Sequence, residues 1–213
     1  MSAPGDQPKF GRAHALVLRF TPSERAFHWL VAAAFFVMLI TGLLMGKTGS
    51  FHDLMYATHL TAAGVLVAGG AVILLRGDRR ALSQTRRDLS HLDALDREWL
   101  GRVPAAVFKH SPETPAGRFN AGQKLNFLLI TLLLGALFVS GIGLLISGSH
   151  PYNAVFKAAH VAAAYTALAL VVCHLYMALI NPSTRPALRG MISGKVDAGW
   201  VRRYHTRKRA EEF

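Results

Sequence analysis

Two histidines lie in a strongly apolar stretch, "KAAHVAAAYTALALVVCHLYMA", which covers residues 157–178 and contains His160 and His174. An ionisable side chain in such a segment is costly to desolvate unless it binds something. In a helix their separation of 14 positions puts both imidazoles on nearly the same face, about 21 Å apart. One metal ion with nitrogen ligands at about 2 Å cannot bind both. The spacing therefore predicts two separate sites stacked along one helix.

Each of these sites needs a second ligand at the same depth on another helix. His59 lies near the same end of its apolar run as His160, and His28 lies near the opposite end, at the level of His174. Depth therefore pairs His59 with His160 and His28 with His174. Two such pairs across a bilayer are typical of two bis-histidine haem b groups, with haem iron as the metal of both sites. The sequence has no C-x-x-C-H motif, so a haem would be bound without thioether links.

The elements that must position these histidines are long and apolar. The chain is 52% hydrophobic and 17% charged, and four runs of at least 20 residues contain no Asp, Glu or Arg. Such runs cross about 30 Å of hydrocarbon, whereas a soluble helical bundle needs polar helix faces. We predict an all-α integral membrane protein, a four-transmembrane-helix bundle of the di-haem cytochrome b type, as a single domain over 1–213. The predicted transmembrane helices cover about 25–46, 52–76, 120–148 and 151–181.

The basic residues indicate the orientation of this bundle. Of 24 Lys and Arg residues, only Lys47 and Lys157 lie in or beside the two short connections between helices. The others favour a cytoplasmic location for both termini, the 77–119 connection and the 182–213 tail, in a bacterial inner membrane. The net charge of the chain is +12. We then expect its basic residues to contact anionic lipids and not nucleic acid. In this orientation His59 and His160 mark an outer haem, and His28 and His174 an inner one.

Two further features carry weaker expectations. Apolar residues recur at helical spacing within the 77–119 connection, which predicts an amphipathic helix on the inner membrane face or a solvated linker helix; they are Leu82, Leu89, Leu92, Leu95 and Trp99. Pro104, Pro112 and Pro115 are expected to break the rest of this connection into a loop. Gly42 lies 14 positions after His28, where it leaves room for the outer haem or for helix packing.

Four local sequences resemble one known family. They are "ERAFHW", "FNAGQKLNF", "HLYMA" and "GMISGKV", and together they resemble the cytochrome b (gamma) subunit of membrane-bound respiratory formate dehydrogenase. "NAGQK" is the most specific of them. The spacing of the four haem-binding histidines alone is also typical of the cytochrome b of nickel-iron hydrogenases and related quinone-linked dehydrogenases. These proteins remain an alternative. A non-redox transporter or membrane anchor whose histidines bind zinc or protons is an alternative of another class.

The resemblance implies roles for particular residues. It places the haem ligands on His28, His59, His160 and His174 with the pairing above, and a quinone pocket on Asn120, Ala121, Gly122 and Gln123. Asn and Gln amides can hydrogen-bond a quinone carbonyl. Lys124 is a proton or charge partner of this pocket or an anchor at the membrane surface. Arg25 pairs with a haem propionate or anchors the start of its helix.

The resemblance also implies a function. The chain would be the quinone-reducing membrane subunit of a formate dehydrogenase complex in a respiratory chain, and would anchor that complex in the membrane. Electrons would pass from a periplasmic iron-sulfur (beta) subunit through the outer and inner haems to menaquinone or ubiquinone at the cytoplasmic side. Formate oxidation would belong to a molybdenum- or tungsten-dependent catalytic (alpha) subunit, because this chain has one cysteine and no iron-sulfur cysteine pattern. A trimer of such heterotrimers is compatible with the resemblance.

Overall fold

The computed structural model describes residues 15–45, 48–106, 117–182 and 184–204. Helices dominate these ranges, with one short strand before the first helix and another near the end. The elements in chain order are β1 (Leu16–Leu18), α1 (Pro22–Leu44), α2 (Ser50–Arg76), α3 (Arg79–Ser90), α4 (Ala94–Ala106), α5 (Ala121–Ser147), α6 (Asn153–Leu179), α7 (Pro186–Ser193), β2 (Lys195–Asp197) and α8 (Ala198–Tyr204).

The four longest helices, α1, α2, α5 and α6, are apolar over lengths that can cross a membrane. They have 23 to 27 residues and mean hydropathy values between 1.8 and 2.6. Large apolar side chains on their outer surfaces are open to the surroundings, as the 70% exposed Leu132 and the 79% exposed Ile146 illustrate. Outward apolar surface of this extent suits contact with lipid and not with water. The prediction of four apolar membrane helices is confirmed.

These helices pack as two hairpins, α1 with α2 and α5 with α6. Glycine permits the close approach inside each hairpin, because Gly69 faces the side chain of Leu30 and Gly143 faces the ring of Phe156. A Cβ at Gly69 would lie 2.9 Å from a Leu30 methyl carbon, which is too close without movement. We call the end of the bundle that carries β1, α3, α4, α7, β2 and α8 the tail end. The opposite end, with the short connections after α1 and after α5, is the turn end.

A two-stranded antiparallel sheet at the tail end connects the beginning and the end of the described chain. β1 pairs with β2 in the register Leu16 with Asp197, Val17 with Val196 and Leu18 with Lys195. Val196 is fully buried. The sequence predicts only a basic tail over 182–213, and not this sheet. Residues 205–213 of that segment lie outside the described residues.

The connection between the hairpins contains two helices and not the single amphipathic helix that was predicted. A second helix begins after His91–Asp93 because Asp93 and Asp96 cap it reciprocally, with Asp96 N donating to Asp93 Oδ1 at 3.0 Å and Asp93 N to Asp96 Oδ2 at 3.1 Å. The expectation that Pro104 ends the helix was wrong, since α4 continues to Ala106. Pro104 lies in its last turn, where a missing N–H removes a single hydrogen bond. Pro112 and Pro115 lie outside the described residues.

A buried polar network joins the two hairpins at the tail end. Glu24 of α1 is 6% exposed, and its carboxylate accepts hydrogen bonds from Arg118 Nη2 at 2.6 Å, from Thr21 N at 2.7 Å and from the Thr85 hydroxyl. Arg118 also donates to the Arg19 carbonyl at 2.9 Å. Burial, together with the charge of Arg118, lowers the pKa of Arg19 to about 10. Arg19 therefore stays charged at neutral pH. Glu24 is the carboxylate that Arg118 contacts most closely.

We expect Glu24→Gln to destabilise the protein by about 2 kcal/mol, because it leaves Arg118 largely buried without its nearest counter-charge. Thermal unfolding in detergent measures this loss. Asp53→Asn is the matched control, since Asp53 is an exposed acidic residue in the first turn of α2. Equal stability of Glu24→Gln and the control would show that the network does not hold the hairpins together.

Candidate functional site

Four histidines from three helices meet in two pairs between the hairpins. The ring centroids of His28 in α1 and His174 in α6 are 6.3 Å apart, with 58° between the ring planes. Those of His59 in α2 and His160 in α6 are 6.2 Å apart, with 59° between the planes. We call His28 and His174 the tail-end pair and His59 and His160 the turn-end pair. These are the same pairs that depth along the sequence predicted.

The separation within each pair matches two imidazoles on opposite sides of one metal ion. Two nitrogen ligands at about 2 Å hold their nitrogens about 4 Å apart, and a ring radius at each side gives centroids about 6 Å apart. A direct hydrogen bond between two imidazoles would bring the centroids to about 5 Å. The observed 6.2 and 6.3 Å therefore fit a shared ion better than a direct contact.

The number of protein ligands at each site also bears on the metal. Among the described residues, no group of three or more His, Cys, Asp and Glu side chains comes together around a common point. A protein zinc site takes three or four such ligands. A site with two opposed imidazoles leaves its remaining coordination positions to another group, and the four nitrogens of a porphyrin would fill them. The pairs fit haem and do not fit a zinc site.

Hydroxyl groups contact the turn-end pair. Thr41 Oγ1 lies 3.1 Å from His59 Nδ1, and Ser140 Oγ lies 3.0 Å from His160 Nδ1. Neither Thr41 nor Ser140 was predicted from the sequence. A signal did exist, because each hydroxyl precedes a glycine at the depth of the histidine on the adjacent helix, in "TG" at 41–42 and "SG" at 140–141.

The predicted quinone motif has a structural role at the start of α5. Gln123 N donates to Asn120 Oδ1 at 2.8 Å, and Asn120 N donates to Gln123 Oε1 at 3.0 Å. This capping box uses both amide oxygens and leaves both side-chain NH₂ groups as donors. Ala121 is buried, and the missing side chain of Gly122 leaves room for Trp99 of α4. The motif therefore lies partly beneath α4.

Lys124, the next residue in the motif, contacts the same helix. Its Nζ lies 2.6 Å from Asp96 Oδ2 and 3.8 Å from Asp93 Oδ2, and both Lys124 and Asp96 are buried. The ammonium group is thus paired inside the protein, where it fixes α4 against α5.

Arg25 offers a charge that the described protein does not use completely. Its buried Nε has no hydrogen-bond partner among the described residues. Buried polar atoms are rarely left unpaired, and a guanidinium group binds carboxylates strongly. Arg25 lies one turn before His28 in α1, so a haem propionate at the tail-end pair would suit it.

Opposed imidazoles between apolar helices define a class of protein, the membrane cytochromes b. Residues 19–194 match the family described as prokaryotic cytochrome b561, and the chain belongs to this family. It is therefore a membrane haem protein of electron transfer, and its cofactor is haem b.

Similarity to individual proteins extends along nearly the whole chain. The cytochrome b556(Fdn) subunit of the nitrate-inducible formate dehydrogenase of Escherichia coli K12 is 24% identical, with 90% of this chain and 89% of that protein covered. The cytochrome b556(fdo) subunit of a formate dehydrogenase from the same organism is 26% identical, with 90% of each covered. A formate dehydrogenase cytochrome b556 subunit of Haemophilus influenzae is 24% identical, covering 92% of this chain and 83% of that protein. This similarity is full-length but distant, so the link to formate stays a prediction.

The capping box gives a stability prediction that is separate from any ligand. We expect Asn120→Ala to destabilise the protein by about 1 kcal/mol because the α5 N-terminus loses its cap. Asn120→Ser, which keeps an oxygen acceptor, should retain most of that stability. Thermal unfolding of the two variants in the same detergent compares them. If Asn120→Ala and Asn120→Ser destabilise the protein equally, Asn120 does not stabilise it by capping α5.

Proposed function

We propose that this chain is the di-haem b membrane subunit of a formate dehydrogenase-type complex, which carries electrons across the membrane to a quinone and anchors the complex. The observation that supports this most strongly is the presence of two imidazole pairs, 6.3 and 6.2 Å apart, that share helix α6. Two sites at two depths suit transfer across a bilayer, whereas one site would serve only one side.

The residues that would hold the haems are the members of the two pairs. His28 and His174 would bind the inner haem, and His59 and His160 the outer one. Each bound haem supplies a one-electron couple. The chain itself would contribute imidazole nitrogens, apolar helices that exclude water and, through Arg25, a cation for a propionate. The imidazole nitrogens and the Arg25 cation would offset the cost of holding a charged cofactor within the membrane.

The charge distribution supports a cytoplasmic tail end. Within the residues that the structure describes, the basic residues outside the two short connections belong to the segments at this end, in agreement with the positive-inside rule. Electrons would then arrive at the turn end from a periplasmic iron-sulfur subunit. A molybdenum- or tungsten-dependent catalytic subunit would oxidise formate, and the names of the similar proteins support formate as the electron source.

The quinone site of this proposal would lie at the tail end, at Asn120, Ala121, Gly122 and Gln123. The capping box supports it because it orients two amide groups and leaves their NH₂ donors without a hydrogen-bond partner among the described residues. A quinone carbonyl of menaquinone or ubiquinone is a hydrogen-bond acceptor and matches these donors. Lys124 and Asp96 form the ionisable pair next to the motif.

The rival assignments differ in how well these features support them. A hydrogenase or another quinone-linked dehydrogenase would use the same haem sites. The "NAGQK" motif and the similarity to formate dehydrogenase subunits favour a formate dehydrogenase complex over these alternatives. A transporter or anchor with zinc-binding histidines does not suit two-ligand sites. Co-purification of the partner subunits distinguishes the first rival.

Single replacements of the histidines test the pairing. We expect His59→Ala to remove the outer haem and His174→Ala the inner one, so each leaves about half of the b-type signal in a reduced-minus-oxidised spectrum. His91→Ala is the control, since His91 is exposed after α3. Wild-type protein without a b-type spectrum would end the di-haem proposal. A full signal in either variant would show that the ligand was assigned wrongly.

A conservative change at Asn120 tests the quinone site. Asn120→Ser keeps the cap acceptor but lacks the NH₂ donor, so we expect the reoxidation of dithionite-reduced haem by added quinone to slow about tenfold. Haem content should not change. Asn153→Ser is the control, because Asn153 is an amide residue at the turn end that bonds Ser147 Oγ at 3.1 Å. Reoxidation at the wild-type rate in Asn120→Ser would exclude this residue from quinone binding.

A further inference from the structure

Each histidine of the turn-end pair contacts a hydroxyl from the other helix of its own hairpin. The Thr41 hydroxyl of α1 has one proton, and its oxygen lies 2.7 Å from the Val37 carbonyl and 3.1 Å from the Met38 carbonyl. Carbonyls only accept, so the proton goes to them. The 3.1 Å contact with His59 Nδ1 is therefore one in which the ring N–H donates to the Thr41 oxygen.

The second hairpin repeats this arrangement. Ser140 Oγ lies 2.6 Å from the Ala136 carbonyl and donates its proton there. Its oxygen then accepts from His160 Nδ1 at 3.0 Å. In both histidines Nδ1 carries the proton, which leaves Nε2 with the lone pair that a metal needs.

A glycine faces each of these rings, at a distance where a Cβ would make ordinary contact. A Cβ at Gly42 would lie 3.6 Å from His59 Cε1, and one at Gly141 would lie 3.4 Å from His160 Cε1. The sequence predicts that Gly42 makes room for the outer haem or for helix packing. In the structure Gly42 faces the ring of His59, beside the hydroxyl that orients it.

The tail-end pair has no equivalent contact. Within the residues that the structure describes, neither ring nitrogen of His28 or His174 has a hydrogen-bond partner. The two sites thus differ in the groups around their ligands even though their ring separations are nearly the same.

We infer that Thr41 and Ser140 are positioning residues that fix the Nδ1–H tautomer of His59 and His160 and lower the redox potential of the outer haem. The inference rests on the proposed function, in which these histidines bind that haem. A hydroxyl that accepts the ring N–H increases the electron donation of the opposite nitrogen, which stabilises oxidised iron relative to reduced iron. Two such contacts at the outer site favour electron movement from the outer towards the inner site.

The test is a potentiometric titration of both haems in the full-length protein, purified with its partner subunits. Thr41→Val and Ser140→Ala remove the hydroxyl acceptors, while Thr41→Ser and Ser140→Thr keep them. The carbonyls of Met38 and Leu137, which also bond these rings, stay in every variant. The matched controls are Thr58→Val and Thr166→Val, because these hydroxyls also bond the carbonyl four residues earlier, at 2.8 Å each, but are not hydrogen-bonded to an imidazole.

We expect Thr41→Val and Ser140→Ala each to raise the reduced-to-oxidised ratio of the outer haem at least about threefold at a fixed ambient potential. For a one-electron couple this is a shift of about 30 mV. The inner haem, the controls and the conservative variants should keep the wild-type potentials. If Thr41→Val does not assemble, Ser140→Ala tests the same inference from the other hairpin.

Two results would contradict the inference in different ways. Both haems present with an unchanged outer potential in Thr41→Val and Ser140→Ala would overturn the tuning role but leave the proposed function intact. An equal shift of the outer haem potential in Thr58→Val would show that any nearby hydroxyl has this effect. That result would also overturn the tuning role of Thr41 and Ser140. Absence of a second haem from the wild-type protein would instead overturn the proposed function itself.

Discussion

Four imidazoles within apolar helices are the constraint on which the rest of the structure depends. Each ring would be costly to hold at this depth without a partner, since the surrounding helices offer few polar atoms. The protein meets the constraint by opposing the rings in pairs across the space between two hairpins. Helix α6 contributes one member to each pair, so its orientation determines both sites at once. Tight packing inside each hairpin and looser contact between hairpins leave the space that the pairs occupy.

The tail end keeps the hairpins in register. A pair of rings can face one ion only if the helices that carry them do not slide past each other, and one helical turn is about 5.4 Å. The β1–β2 sheet connects the segment before α1 with the segment after α6. Helices α1 and α6 carry the two histidines of the tail-end pair. The Trp29 indole of α1 also donates to the Met191 carbonyl of α7 at 3.0 Å. The Glu24–Arg118 pair and the Lys124–Asp96 pair add links from α1 and from α4 to the second hairpin.

Local signals in the sequence were sufficient for the four long helices and for the grouping of the histidines. Long apolar runs determine membrane helices without knowledge of their neighbours, and depth along a helix follows directly from residue number. The β1–β2 sheet was not predictable in this way, because it joins residues about 180 positions apart. The contacts of Thr41 and Ser140 depend on how two helices rotate against each other, which periodicity does not reveal. The Asp93–Asp96 and Asn120–Gln123 caps were different, since the x-x spacing of a capping box was present in the sequence and was overlooked.

Capping alone does not explain why this motif uses amides at Asn120 and Gln123. A helix N-terminus would be capped equally well by Asp or Ser at the first position and Glu at the fourth, because a cap needs only oxygen acceptors. An ionised carboxylate has no proton to donate, whereas Asn and Gln keep two N–H donors each after their oxygens are used. A quinone carbonyl accepts hydrogen bonds and donates none. For the proposed quinone site, amides at both positions are therefore the residue type that can cap α5 and bind the quinone at the same time.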